Sequence, residues 1–515
     1  MAIAMRPFRL RAGVTWLRAR VGDCPLAWSL VCALGCAAAS ADPAPARAAA
    51  GPALASAGAS PEPAGEGCPR ALALEIEAVS AEVSCLLQRY VQLDTTNPPG
   101  NELASARFLE RVLAREGIAA EIIESAPGRA NLVARLPGAH HGQALLWLHH
   151  MDVVAAVAEE WSVPPFSGTL RDGYVYGRGT LDHKGAGVAE LVAFVLLRRL
   201  GIVPARDVVL LAVADEESGG TYGTRWLTEH RPELFADVGG VLNEGGGVLQ
   251  LAPDRVVYAV ELAQKAPLWL RVTARGRSGH GAAPGPNVAT SVLVRALARL
   301  GDHEFPIEVL PEVEAMYRAR AEAMPEALRP RYRALQASLQ DPSFRELFLK
   351  EPRDAALVRN TLAITMLAGS PKENVIAESA SAVLDMRLLP GQDPERIRGE
   401  IESVLAEPSL RVEPILSWRA YASPRDTPLF SAIERLAKLR DPGAPVTANV
   451  IGGFTDCNAF RARGITCYGF MPMRLEPSEF ERIHGKDERA SVAVLAHGVL
   501  DLHALLDQLG PPAGE

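Results

Sequence analysis

The stretch Leu145-Leu146-Trp147-Leu148-His149-His150-Met151-Asp152-Val153-Val154 is the best starting point in this chain. A short unbroken apolar run ends in two histidines and then an aspartate. Such a run fits a strand covered on both faces. On extended backbone, side chains alternate, so His150 and Asp152 point to the same side. The same texture returns downstream. The apolar run 208–213 leads into Ala214-Asp215-Glu216-Glu217-Ser218-Gly219-Gly220, and Val241-Leu242 leads into Asn243-Glu244-Gly245-Gly246-Gly247. Further β-rich runs cover 119–123 and 131–136, and helical spacing covers 75–93, 102–116 and 185–200. Helices interleaved with short apolar strands predict an α/β domain built on a mostly parallel, covered sheet. In such sheets functional groups gather at the carboxyl ends of strands.

After about residue 265 the pattern changes. A strand is predicted over 267–274, a helix over 288–300, and a strand pair over 361–368 and 374–388. A helix over 394–406 and a strand over 410–418 follow. This is a compact α+β insert, 263–421, with a charged helical excursion at 305–355. The α/β texture resumes near 427–440, so the main domain is split into 68–262 and 422–515. No internal repeat is visible.

Composition bounds the rest. Of 515 residues, 48% are hydrophobic and 22% charged, which excludes wholesale disorder. The net charge of −8 leaves no cationic field, so nucleic acid is not an expected partner. The one long apolar run is N-terminal, which excludes a multi-span membrane protein. Arg6, Arg9, Arg11, Arg18 and Arg20 precede an uncharged segment, 24–41, that ends Ala39-Ser40-Ala41. Residues 1–41 therefore read as a signal peptide, predicting export to the periplasm or the exterior. An uncleaved anchor through 24–41 and lipidation at Cys36 are the rivals. For Cys36, the preceding Ala33-Leu34-Gly35 lacks the usual first-position Leu. Residues 42–67 read as a disordered linker rich in Pro, Ala, Gly and Ser. Seven cysteines are too few for a disulfide scaffold, and Cys457 and Cys467 are spaced either for a bridge or for two free thiols.

Two more segments carry candidate chemistry. In Tyr176-Gly177-Arg178-Gly179-Thr180-Leu181-Asp182-His183-Lys184-Gly185 the glycines allow tight turns before a helix. A phosphate loop is excluded, because the Walker spacing and a Ser or Thr after Lys184 are absent. In Glu481-Arg482-Ile483-His484-Gly485-Lys486-Asp487-Glu488-Arg489, His484 lies far along the chain and needs the fold to bring it in. Singly, each segment also reads as a strand-end ion pair, a plain turn or a solvated acidic turn. Adjacent acids at a strand end repel one another, and a cation would offset that cost. Together, two histidines and several carboxylates suit two divalent ions, zinc first, with cobalt or manganese as substitutes. Two ions need a bridging ligand, and one further carboxylate must stay free to take a proton.

These segments, in order, resemble the His-x-Asp, Gly-Arg-Gly-x-x-Asp-x-Lys-Gly, Glu-Glu and His-Gly motifs of the aminoacylase/carboxypeptidase family of co-catalytic zinc metallopeptidases. The resemblance spans roughly residues 75–505 and is closest to the branch holding carboxypeptidase S and the N-fatty-acyl-amino-acid synthase/hydrolases. It implies that Asp182 bridges two zinc ions, that His150 and Glu244 complete one site, and that Glu217 and His484 complete the other. It makes Glu216 the general base, has Asp152 orient His150, and implies a cis peptide after Asp182. From the insert, which becomes a lid, His280 in Ser278-Gly279-His280-Gly281 would bind the oxyanion. Asn374, Arg387 and the backbone around Gly453 and Thr455 would hold the substrate's free carboxylate. In dimeric members His280 comes from the partner subunit, so a homodimer through the lid is implied. Two departures stand out: Ala155 replaces a common Pro, and 305–355 enlarges the lid. The expected activity is hydrolysis of N-acyl amino acids or short peptides next to a free-carboxylate amino acid. The alternatives are a dipeptidase or aminopeptidase, or a non-catalytic zinc-binding protein.

Overall fold

The computed structural model describes residues 67–512; the expected signal peptide and nearly all of the expected linker lie outside them. An eight-stranded sheet forms the main body. Its order is Ala120–Ala126, Arg129–Leu136, Arg206–Val213, His140–His150, Val238–Ala252, Cys467–Leu475, Arg255–Gln264 and Val446–Ile451. From Arg206–Val213 to Cys467–Leu475 the four central strands run parallel, and antiparallel pairs extend the sheet on both sides. The α/β class read from the sequence holds.

The central strands are buried through their apolar runs, as in 208–213, and every residue of Arg206–Val213 is covered. One face carries the helices Ile76–Val91, Lys184–Arg199 and Val492–Leu509, which pack against one another in the largest apolar cluster. In Lys184–Arg199 every residue through Leu197 is buried, as its nearly unbroken apolar sequence requires.

The insert is a separate four-stranded antiparallel sheet, ordered Thr361–Ala368, Ser379–Leu388, Ala266–Arg275 and Arg411–Ser417. Helices Ala289–Gly301 and Pro394–Leu405 cover one face and close a second apolar cluster. Residues 374–378 do not extend the long strand. Val375–Ile376 instead pairs with Gly279–His280 in a two-stranded ladder. The excursion near 305–355 packs Val313, Met316 and Tyr317 with Ala263 and Val450, against the edge strand Val446–Ile451 of the main sheet. It thereby covers the face of the sheet at Ala263 and Val450.

Among the described residues two disulfides are present, Cys68–Cys85 and Cys457–Cys467. The second ties helix Cys457–Arg461 to strand Cys467–Leu475 beneath the loop that holds Gly453 and Thr455.

Candidate metal centre

Five sequence-distant groups meet at the carboxyl end of the parallel strands. His150 is the last residue of His140–His150, and its Nε2 lies 2.9 Å from Asp182 Oδ1 and 3.7 Å from Glu244 Oε2. His484 Nε2 lies 2.8 Å from Asp182 Oδ2 and 3.2 Å from Glu217 Oε1. Asp182 thus turns one oxygen to each histidine, as a bridging carboxylate would. Tetrahedral zinc with bonds of about 2.0–2.1 Å sets its ligands about 3.3 Å apart, and these separations bracket that value.

The donor set could hold metal ions. His484 Nε2 is buried 2.8 Å from Asp182 Oδ2 without a hydrogen-bond partner, whereas His150 Nε2 is hydrogen-bonded to Asp182 Oδ1 at 2.9 Å. His150, Asp182 and Glu217 have ligand atoms within 4.8 Å of one another, and so do His150, Glu216 and Glu244. Glu216 Oε1 is buried without a hydrogen-bond partner.

Electrostatics point the same way. Burial raises Glu216 well above the usual carboxylate range, and the neighbouring Glu244 charge adds to this. Burial likewise pushes Glu244 up to about 8. Burial alone would lower His484, but Asp182 and Glu217 outweigh it and carry the imidazole up to about 11. Without a cation, Glu216 and Glu244 are pushed toward their protonated forms and the two histidines toward theirs, and divalent ions would favour the proton-free ligands instead.

The loops are held from behind. Asp215 adopts left-handed backbone (φ 68°) two residues after the end of strand Arg206–Val213, at the turn that leads into Glu216 and Glu217. Its Oδ1 accepts from Asn97 Nδ2 (3.0 Å) and Arg129 Nη2 (2.9 Å), and its Oδ2 from Tyr222 N (3.0 Å). Arg129 in turn pairs with Glu102 through two bonds and lies so near Gly100 that a Cβ there would sit 2.5 Å from the guanidinium carbon. Asn97, in the turn Asn97-Pro98-Pro99-Gly100, also donates to Asp152 Oδ2 at 2.8 Å.

Asp152 does more than face His150. The His150 Nδ1 partner is the Asp152 backbone carbonyl at 2.9 Å, while the carboxylate stands 3.6 Å away. The carboxylate instead accepts the backbone N–H groups of Glu216 (3.1 Å) and Glu217 (3.2 Å). It locks the acidic loop in place.

Sequence reading missed Glu488. This buried carboxylate accepts from Gly179 N, Leu181 N and Asp182 N at 3.1, 2.8 and 3.1 Å, and from Arg178 Nη1 at 2.6 Å. Arg178 also donates to the His484 carbonyl at 3.1 Å. One ion pair therefore couples the Asp182 loop to the His484 loop. The peptide after Asp182 is cis, as the resemblance implies.

Asp456 was also missed, although its neighbours were singled out. Burial pushes it up to about 7, and it lines a cavity of about 220 Å³ with Glu216, Arg225, Trp418, Phe454 and Thr455. Thr455 is fixed by Gln264 through its hydroxyl (2.9 Å) and its carbonyl (3.1 Å), and Gly453 is buried beside it.

The lid residues are not assembled with the metal cluster in this conformation. His280 is exposed, and its Nδ1 accepts a local bond from Ala282 N at 3.1 Å. Asn374 is exposed, and its carbonyl accepts from Gly281 N at 2.8 Å. Arg387 sits at the seam between lid and main body. It pairs with Asp385 at 2.8 and 3.2 Å, and its guanidinium lies 5.3 Å from the Phe454 ring.

The family model of peptidase family M20/M25/M40 matches residues 146–508. The chain belongs to this family. Its M20 relatives include human N-fatty-acyl-amino acid synthase/hydrolase PM20D1, 29% identical over 358 residues that cover 68% of this chain and 71% of the relative. Pig aminoacylase-1 is 27% identical over 422 residues, covering 80% of this chain and 92% of the relative. Among solved structures, the M20 metallo-carboxypeptidase Sso-CP2 from Sulfolobus solfataricus shares the fold with a TM-score of 0.65. It is 18% identical, with 83% of this chain and 99% of that chain covered. The chain is accordingly a metallo-hydrolase of the M20 type.

Proposed function

We propose that the chain is a two-zinc amidohydrolase that releases a free-carboxylate amino acid from N-acyl amino acids or short peptides. The observation that carries this reading is the bridging placement of Asp182 between His150 and His484. Zinc ions held by His150, Asp182 and Glu244, and by His484, Asp182 and Glu217, would polarise the amide carbonyl and make a water between them more acidic.

The chain's own residues supply the rest. Glu216 takes the water's proton and passes it to the leaving amine, a role suited to a buried carboxylate with a raised pKa. His280 donates to the oxyanion once the lid, 263–421, closes or a second copy presents it. Arg387 turns from Asp385 to the substrate carboxylate, a planar fork matched to that group. Pairing of two lids is supported by the lid's edge strand Thr361–Ala368, which exposes Ile364, Met366 and Leu367. Export is supported by the two disulfides, which form where the surroundings are oxidising.

The test is a panel of N-acyl amino acids, dipeptides and longer peptides, each with and without a chelator. Chelator-sensitive release of a C-terminal amino acid is expected. Chelator-resistant turnover, or cleavage only of substrates with a blocked carboxylate, would overturn the reading.

A further inference from the structure

The chain enters the lid through Lys265, between strands Arg255–Gln264 and Ala266–Arg275, and returns through 418–423. The two crossings lie side by side. Ala263 and Ala422 form an antiparallel bridge, and Ser423 N donates to the Leu262 carbonyl at 2.8 Å. Two further grips on the returning segment come from the elements that Cys457–Cys467 joins. From helix Cys457–Arg461, Asn458 Oδ1 accepts from Tyr421 N at 3.0 Å, and Asn458 Nδ2 donates to the Arg419 carbonyl at 3.1 Å. From strand Cys467–Leu475, Cys467 itself takes hold. Ser423 Oγ donates to its carbonyl at 2.8 Å and accepts from its N–H at 3.0 Å.

The same short helix directly follows the loop that carries Gly453 and Thr455. Cys457 N donates to Thr455 Oγ1 at 3.3 Å. The Phe454 ring faces two lid groups, Trp418 with ring centroids 5.3 Å apart and the Arg387 guanidinium at 5.3 Å. A five-residue helix cannot hold its own position. Its far end is pinned by Arg461, which pairs with buried Glu261 at 2.6 and 2.8 Å and donates to the Cys467 carbonyl at 2.8 Å. Its near end, next to the loop, is pinned by the disulfide.

Cys68–Cys85 provides the contrast. It ties the first described residues to helix Ile76–Val91, away from every candidate site residue. It closes the longer loop, 17 residues against 10, so chain entropy alone makes it at least as stabilising.

We infer that Cys457–Cys467 is a positioning disulfide. It fastens the lid's returning segment and the 453–456 loop to one seat, so that Arg387 closes onto a loop that holds still. This rests on the reading above in which that loop helps to bind the substrate's free carboxylate.

The test compares Cys457→Ala/Cys467→Ala with Cys68→Ala/Cys85→Ala in the zinc-loaded full chain, using N-acetyl amino acids and their carboxamides. Without Cys457–Cys467, KM for the free acids should rise about tenfold, as the loss of a hydrogen bond to a charged group does. Preference over the carboxamides should fall by the same factor. With zinc content unchanged, kcat should stay within about threefold, the pattern of lost binding and not of lost chemistry. Backbone amides over 419–423 and 453–458 should exchange faster with deuterium. Without Cys68–Cys85, the melting temperature should fall at least as far, while KM and exchange in these segments stay as they were. An unchanged KM in Cys457→Ala/Cys467→Ala, or an equal rise in both variants, would overturn the positioning role.

Asn458→Ala keeps the test open should the first variant fail to fold. It retains the disulfide but releases 419–421, so exchange there should quicken, and unchanged exchange would overturn the seat. Faster exchange in a chain that turns over no N-acyl amino acid keeps the seat and overturns the amidohydrolase reading. Turnover with KM and exchange both unchanged overturns the seat alone.

Discussion

The metal centre and the lid site differ in how they are built. The groups of the metal centre lie on central strands, as His150 and Glu244 do, or on loops pinned by buried carboxylates: Asp152 fixes Glu216 and Glu217, and Glu488 fixes Asp182. The lid groups lie on an exposed two-residue ladder and at a domain seam, where Arg387 keeps an ion pair of its own. The groups proposed to hold ions are over-constrained, whereas His280 and Asn374, proposed to meet the substrate, are exposed.

The largest expected effect falls on the rigid side. Glu216→Gln should lower kcat by about 10²–10⁴-fold while both metal ions stay bound. Full activity in this variant would remove Glu216 from the proton path. Next comes the mobile side. His280→Ala should cost about 10²–10³-fold in kcat without changing metal content or melting temperature. Mixing His280→Ala with Glu216→Gln sharpens the contrast, because recovered activity means that His280 acts across a dimer and no recovery places it within one chain.

Smaller effects probe the supports. Glu488→Gln should weaken metal affinity about 10–100-fold, as the loss of a group that orients a ligand does. Rescue of kcat at saturating zinc would mark Glu488 as a positioning residue. The pH dependence of metal binding follows from the shifts of the metal-free site. Glu244 near 8 and His484 near 11 hold protons that metal must displace. Affinity should therefore rise with pH, by about tenfold per unit for each proton released. Competition against a chelator at two pH values measures this, and a flat result would show that the ligands are already proton-free.

Much of the rigid region was legible. Apolar strands that end in His, Asp or Glu announce themselves through burial periodicity and unlike neighbours, as at 145–152 and 208–217. What stayed hidden are groups whose role is set by long-range contacts. Glu488 reads as one more charge in a polar loop until its backbone donors from 179–182 are seen. Asn97 reads as a turn residue, yet it bridges Asp152 and Asp215.

Strand lengths were also obscured. Val238–Ala252 runs on past Glu244 through three glycines. Gly246 allows this because a Cβ there would sit 2.2 Å from the Gly469 carbonyl. The charged composition of the excursion near 305–355 hid the apolar side that covers Val446–Ile451.

The most direct test of the account is the metal content of the purified chain, set beside that of Asp182→Ala. Two divalent ions per unaltered chain, with both lost together in the variant, are expected if Asp182 bridges them. One ion retained in Asp182→Ala, or none bound by a folded and hydrolytically active chain, would contradict a two-ion centre.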